Sequence, residues 1–135
     1  MKQFIILCLL LPVFAMAQQG NVETGKTLKG KATIYANMFQ GRRTATGEIF
    51  KHSNLTAASN FFKFNTWVKV TNLTNMKSVI VRINDRMHPR MAKMGRIVDL
   101  TKTAAAVLGG FDGITNVKVE VLGQNAGIST ESSSD

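Results

Sequence analysis

The sequence predicts one mainly β domain that closes, or nearly closes, into a barrel. Apolar and polar residues alternate with period two along its middle, and the apolar ones are mostly β-branched. A single short segment has the composition and end signals of a helix. No strand–helix–strand rhythm joins these pieces, which excludes a doubly wound parallel sheet and favours a barrel.

The predicted body spans residues 28–123, and the ends differ from it. Met1-Lys2-Gln3 gives a short basic start, Phe4 to Phe14 is apolar apart from Pro12, and Ala15-Met16-Ala17 precedes Gln18. That order is an export signal over residues 1–17 with cleavage after Ala17. The apolar run is about half of the roughly 20 residues that a membrane-spanning helix needs. Cys8 lies mid-run rather than after small residues at its end, so lipidation is not expected. Cleavage leaves a chain without cysteine, hence without disulfide or thiol chemistry. Residues 18–27 read as a flexible lead-in. Residues 124–135, ending Ser-Thr-Glu-Ser-Ser-Ser-Asp, read as a disordered tail.

Each element has its own signal. Ala32 and Ile34 share a face of the first strand. Val68 and Val70 oppose Trp67, Lys69 and Thr71 in another. Val79, Val81 and Ile83 alternate with Ser78, Ile80 and Arg82, and Val117, Val119 and Val121 with Lys118, Glu120 and Leu122. Asn72 to Lys77 joins two strands as a hairpin connection. Thr101 caps a helix over Lys102–Leu108, and Gly109-Gly110 stops it. Asn54-Leu55-Thr56 and Asn72-Leu73-Thr74 match the glycosylation pattern, the second within the predicted turn.

The chain carries 17 basic against 8 acidic residues, a formal charge of +9 that falls by one when Lys2 leaves with the signal. Such a surplus suits an acidic partner. An exported chain without interleaved aromatic and basic residues is not a nucleic-acid binder, and no second apolar run could span a membrane. His52 and His88 stand without cysteine neighbours, so no metal site is expected, and no cofactor. Gly41 and Gly47 lack phosphate-loop spacing, and no nucleophile elbow is present.

Few carboxylates fall in the body. Glu120 lies on a polar strand face, Asp112 in a turn beside Gly113, and Asp99, after Ile97-Val98, reads as a structural hydrogen-bond acceptor. Asp85 ends the strongest strand, in Asn84-Asp85-Arg86. A carboxylate held at a strand end is placed for acid–base work; an ion pair with Arg82 or Arg86 is the plainer alternative. Glu48, in Thr44-Ala45-Thr46-Gly47-Glu48, is a second candidate.

These strings, with Leu55-Thr56-Ala57-Ala58, Val68-Lys69-Val70-Thr71-Asn72, Val81-Arg82-Ile83-Asn84-Asp85-Arg86 and Gly95-Arg96-Ile97-Val98-Asp99-Leu100, occur in an order and spacing that resembles the rare lipoprotein A family. The resemblance covers about residues 29–122. It implies a six-stranded double-psi β-barrel with one or two short helices, and cleavage of peptidoglycan glycan strands stripped of stem peptides. Family members are lytic transglycosylases, leaving 1,6-anhydro ends. Asp85 matches the family's proposed catalytic aspartate and Glu48 its acidic position. Tyr35, in a string like the family's A-S-W-Y-G, is a candidate for lining the groove; Arg82, which alternates away from the Val79/Val81/Ile83 face, and Arg86 are candidate substrate-binding residues with it.

Two departures stand out. The family reads T-A-A-H where this chain has Thr56-Ala57-Ala58-Ser59, and serine cannot shuttle a proton as imidazole can. The segment after Asp85-Arg86, Met87 to Met94, is about three residues longer than the family's and carries His88. Replacement of the missing imidazole by His88 requires its ring to face Asp85. Arginines close to a proton-donating aspartate work against it, whereas a neighbouring carboxylate such as Glu48 offsets them.

Three readings follow, in descending order: a transglycosylase with Asp85 as acid and base, an expansin-like barrel that holds wall glycan without cutting it, and an inhibitor or toxin-like exported barrel. Phe61-Phe62-Lys63-Phe64 reads as packing rather than as a sugar platform. The chain is expected to be a monomer, exported to the periplasm or secreted. It ends about 12 residues past the last strand, so the C-terminal glycan-binding domain of many family members, and septal targeting with it, is not expected.

Overall fold

Alternation turns these strands into a wall with an apolar inside. In the computed structural model, which describes residues 24–124, Val68, Val70, Val79, Val81, Ile83, Val117, Val119 and Val121 are all buried in one core, as the period-two reading requires. The strands are β1 (Thr27–Ile34), β2 (Thr56–Ala58), β3 (Trp67–Asn72), β4 (Ser78–Asp85), β5 (Arg96–Leu100) and β6 (Ile114–Gly123). They close in the order β1-β5-β2-β4-β3-β6. β1 runs parallel to β5 and β2 to β4, while the other neighbours are antiparallel. This is the expected six-stranded double-psi barrel. Closure leaves no strand edge unpaired.

The export signal of residues 1–17, with Cys8, lies outside the described residues, as does the tail beyond residue 124. The expected lead-in lies outside them up to residue 23. From Gly25 the chain is already joined to the barrel, Gly25 N–H donating to the Val121 carbonyl at 3.0 Å, and β1 takes in Thr27.

Two helices fill the connections. α1 (Pro89–Lys93) falls in the long segment after Asp85, with Pro89 at its first turn, where a missing N–H costs nothing. α2 (Lys102–Val107) is the helix read from the sequence. Thr101 Oγ1 accepts from Ala104 N–H at 3.2 Å and donates to the Asn54 carbonyl at 2.7 Å, tying the cap to the β2 approach. Ala104 and Leu108 join the core. The Leu108 carbonyl at the helix end accepts from Asn72 and Asn75 side chains at 3.2 and 2.9 Å, so the β3–β4 hairpin caps the helix. Gly109, at φ +92°, passes so close that a Cβ would lie 2.6 Å from Asn75 Nδ2. The same contacts correct the second glycosylation motif, because Asn72 is buried with its amide committed. Among the described residues no helix is long and apolar enough to cross a membrane.

Candidate active site

The site exists because the sheet breaks its alternation once. Val81 and Ile83 of β4 face the core, and strict period two would send Asp85 after them. The β2–β4 register shifts instead: Ala57 pairs with Ile83, but Ala58 pairs with Asp85. Asn84 and Asp85 thus occupy one step of β2. Bulges of this kind re-aim side chains, often beside active sites. Asp85 turns to the face of Ala58, where a second apolar cluster of Tyr35, Phe50, Ala58 and Met87 lies outside the barrel core.

Three donors converge on the Asp85 carboxylate. Oδ1 accepts the backbone N–H of Ala45 at 2.8 Å and that of Arg86 at 2.9 Å. Oδ2 accepts the Tyr35 hydroxyl at 2.7 Å. Oδ2 is therefore the oxygen left with room for a further partner. Tyr35 is only 5% exposed. It packs on Phe50 at 4.2 Å between ring centroids and edge-on to Phe39 at 5.6 Å. Burial, then the hydrogen bond and charge of Asp85, push its phenol well above the usual range, so it stays a donor.

Ala45 arrives on a tight loop. Arg43 and Ile49 form an isolated bridge, Thr44 N–H donates to the Glu48 carbonyl at 2.7 Å, and Gly47 turns the chain at φ +91°. The same loop carries Glu48 to β4. Arg82 donates to Glu48 Oε1 at 2.5 Å and to Oε2 at 3.0 Å, and Thr46 Oγ1 donates to Oε2 at 2.7 Å. This fork holds the Glu48 carboxyl down at about 2 against its partial burial. Glu48 is ionised at any ordinary pH and cannot donate a proton.

The arginine side chains hydrogen-bond to groups other than Asp85, while the Asp85 charge still acts on Arg86. Arg82 serves Glu48 and the Asn65 side chain, at 2.9 Å. Arg86 lies 3.8 Å over the Phe64 ring and donates to the Ser59 carbonyl at 2.8 Å. Phe62 is in the core, and Phe61 is exposed. Ser59 is fully buried; its Oγ accepts from Phe61 N–H at 3.1 Å, and its N–H donates to the Asp85 backbone carbonyl at 3.0 Å. Its hydroxyl fixes a turn and does not meet the Asp85 carboxylate. His88 caps α1, its Nδ1 accepting from Arg90 N–H at 3.0 Å. It is exposed and is not among the hydrogen-bond partners of Asp85.

Sequence reasoning missed two contributors. Ala45 acts through its backbone, which no side-chain pattern reveals. Asp99 was read as a structural acceptor. It does accept from Thr33 Oγ1, at 3.2 Å, yet it also pairs with Ala58 across β5 and β2 and so stands in the same row as Asp85. Among the described residues no group of three or more His, Cys, Asp or Glu could hold a metal ion.

Comparison with known proteins gives the family and the fold. The family model described as lytic transglycolase matches residues 27–121. An endolytic peptidoglycan transglycosylase RlpA of Pasteurella multocida is 41% identical over 106 residues, 78% of this chain and 35% of that protein. A probable endolytic peptidoglycan transglycosylase RlpA of Synechocystis is 46% identical over 101 residues, 73% of this chain and 30% of that one. The Vibrio cholerae RlpA is 42% identical over 101 residues, 73% and 36%. This chain thus spans about a third of the length of these relatives. Among solved structures, the Streptomyces papain inhibitor superposes with a TM-score of 0.56 at 19% identity, covering 75% of this chain and 98% of that one. The rationally designed apDPBB_sym_79 protein superposes with a TM-score of 0.51 at 15% identity, covering 72% and 99%. These two likenesses bear on the fold alone. With a family model matched from Thr27 to Val121 and relatives above 40% identity, the chain belongs to the RlpA-like lytic transglycolase family of double-psi β-barrels.

Proposed function

We propose that the protein is an exported lytic transglycosylase that cleaves the MurNAc–GlcNAc bond of peptidoglycan glycan strands, those stripped of stem peptides above all, with Asp85 as acid and then base. The observation that carries this reading is the bulge that turns Asp85 out of the core and onto a face where Tyr35 and two backbone N–H groups hold it. The names of the relatives supply the substrate class.

The reaction needs no water. The protonated Asp85 carboxyl gives its proton to the glycosidic oxygen as the bond from C1 to that oxygen breaks. The muramyl 6-hydroxyl oxygen then closes on C1, and its proton passes to the Asp85 carboxylate. The product is a 1,6-anhydro end, and the aspartic acid is restored. One carboxyl serving twice is ordinary glycosidase logic. Oδ2 carries the proton, because Oδ1 already accepts two N–H groups. Glu48 stays ionised, cancels the charge of Arg82, and fixes the loop that presents Ala45.

A second reading has one observation of its own. Ser59, at the position of the family histidine, is buried and occupied with its turn, which favours a barrel that grips glycan without cutting it. Purified residues 18–135 incubated with intact and amidase-stripped sacculi separate the two. Mass spectrometry is expected to find anhydromuramyl products from stripped strands. Asp85→Asn should lower their release by about 10²–10⁴-fold, the usual worth of a general acid–base group. No products, with sacculi still pulled down, would make the protein a glycan-binding barrel.

A further inference from the structure

We propose that Asn60 is a positioning residue for Asp85: its side-chain amide extends the β2–β4 pairing past the last backbone rung and fixes the exit of β4, on which two of the three donors to the Asp85 carboxylate depend. The inference rests on the reading of Asp85 as acid and base. Asn60 itself does not touch the glycan.

Residue pairing between β2 and β4 ends at Ala58↔Asp85. One more backbone bond follows, from Ser59 N–H to the Asp85 carbonyl at 3.0 Å. The chains then part, toward Phe62 in the core on one side and α1 on the other. At that point Asn60 Nδ2 donates to the Met87 carbonyl and Asn60 Oδ1 accepts the Met87 N–H, both at 2.9 Å. A primary amide offers the same donor and acceptor as a peptide group, so it acts as a further rung. Only one orientation of the amide makes both bonds. An ionised aspartate lacks the donor, and alanine lacks both atoms.

Three successive peptide groups are held in this way. Ser59 holds the one that joins Asp85 to Arg86, and Asn60 holds the next two, through the N–H and the carbonyl of Met87. The Arg86 side chain closes the loop, donating to the Ser59 carbonyl at 2.8 Å and lying 3.8 Å over the Phe64 ring. Two consequences reach Asp85. The Arg86 N–H, which Oδ1 accepts at 2.9 Å, belongs to the first of these groups. Met87 is buried in the cluster of Tyr35, Phe50 and Ala58, and so backs the ring whose hydroxyl donates to Oδ2 at 2.7 Å.

Asn60 is exposed, whereas Met87 is buried. Replacing Asn60 therefore takes no apolar area from the core. It frees the end of β4, where a small displacement of a catalytic group is costly.

Amide hydrogen exchange of residues 18–135, read residue by residue by NMR, tests the clamp without substrate. Asn60→Ala should raise exchange at both Met87 and Arg86 by about tenfold or more, as two lost hydrogen bonds require, and shift the Tyr35 ring signals. Asn60→Gln, which keeps the amide, should recover part of each change. On amidase-stripped sacculi, Asn60→Ala should lower kcat per folded molecule about 10–10²-fold, with KM unchanged, and Asn60→Gln should lie between it and the wild type. A wild-type kcat in Asn60→Ala, whatever its stability in urea, overturns the proposal and leaves Asn60 a structural residue. A raised KM with kcat intact overturns it too, since Asn60 would then grip the glycan. So does a change in exchange confined to Met87. If the wild type releases no product while Arg86 and Tyr35 respond to Asn60→Ala, the clamp is supported and the cleavage reading falls instead.

Discussion

The β3–β4 hairpin and the β5–β2–β4 junction belong to one closed sheet and do opposite work. In the hairpin the register runs without a shift from Trp67↔Arg82 to Thr71↔Ser78. Val68, Val70, Val79 and Val81 fill the core, and Lys69 and Ile80 face out. At the junction the residues shrink to Ala57 and Ala58, the register slips by one, and the two alanines face different clusters. Buried polar side chains gather there: Thr33, Ser59, Asn84 and Asp99. Unbroken alternation makes a wall, and one added residue turns a side chain of the core's own phase out to a polar face.

The sharpest test of that contrast is Ile83→Ala, at the last core position before the slip. Ile83 is fully buried, so truncation should cost about 2–5 kcal/mol, read by urea denaturation. The loss should be independent of pH, and anhydromuramyl release per folded molecule should be unchanged. Slower release by the folded fraction would show that wall and junction are not separable.

Tyr35→Phe probes the junction side with a smaller effect. It keeps the ring on Phe50 and removes one hydrogen bond to a carboxylate, worth about 1.5–3 kcal/mol. Product release should slow, and stability in urea should fall by no more than that bond is worth. A variant as fast as the wild type would remove Tyr35 from the machinery and leave it a packing residue.

How much of this was legible follows the same divide. The walls could be read because alternating valines have one physical outcome, a half-buried strand. Thr101 and Gly109-Gly110 bracket α2 for equally local reasons. β2 is three residues long, Thr56–Ala58, too short to show a period. Helix α1 was read as loop, since Pro89 starts it and His88, the candidate imidazole, is spent as its cap. Asp85 could be named from its neighbours, but not the face it takes, because a bulge is a relation between two strands. Asp99 was legible as a hydrogen-bond acceptor and not as a member of the row, for the same reason. The charges were legible as a conflict between arginines and aspartate. The geometry eases the conflict by turning Arg82 onto Glu48 and Arg86 onto Phe64, although the charge of Asp85 still acts on Arg86.

The smallest expected effect separates the two carboxyls that flank the site. Glu48 is held at about 2, against an ordinary 4.5, by Arg82 first and by Thr46, with partial burial opposing. A lowered carboxyl gives stability that is present above about pH 4.5 and lost as pH falls toward 2. The pair is partly exposed, at 25% for Arg82 and 38% for Glu48, so solvent screening reduces the gain to about 1 kcal/mol or less. Asp99 has the opposite sign: its raised carboxyl favours the fold below about pH 3.8, and that gain is lost as pH rises through about 6. Thermal melts of the wild type and Glu48→Gln should therefore converge between pH 5 and pH 2, while the gap between wild type and Asp99→Asn changes between pH 4 and pH 6. A constant gap for Glu48→Gln down to pH 2 would mean that Arg82 draws its stability from Asn65, and that the loop presenting Ala45 is held by its own backbone bonds rather than by the ion pair.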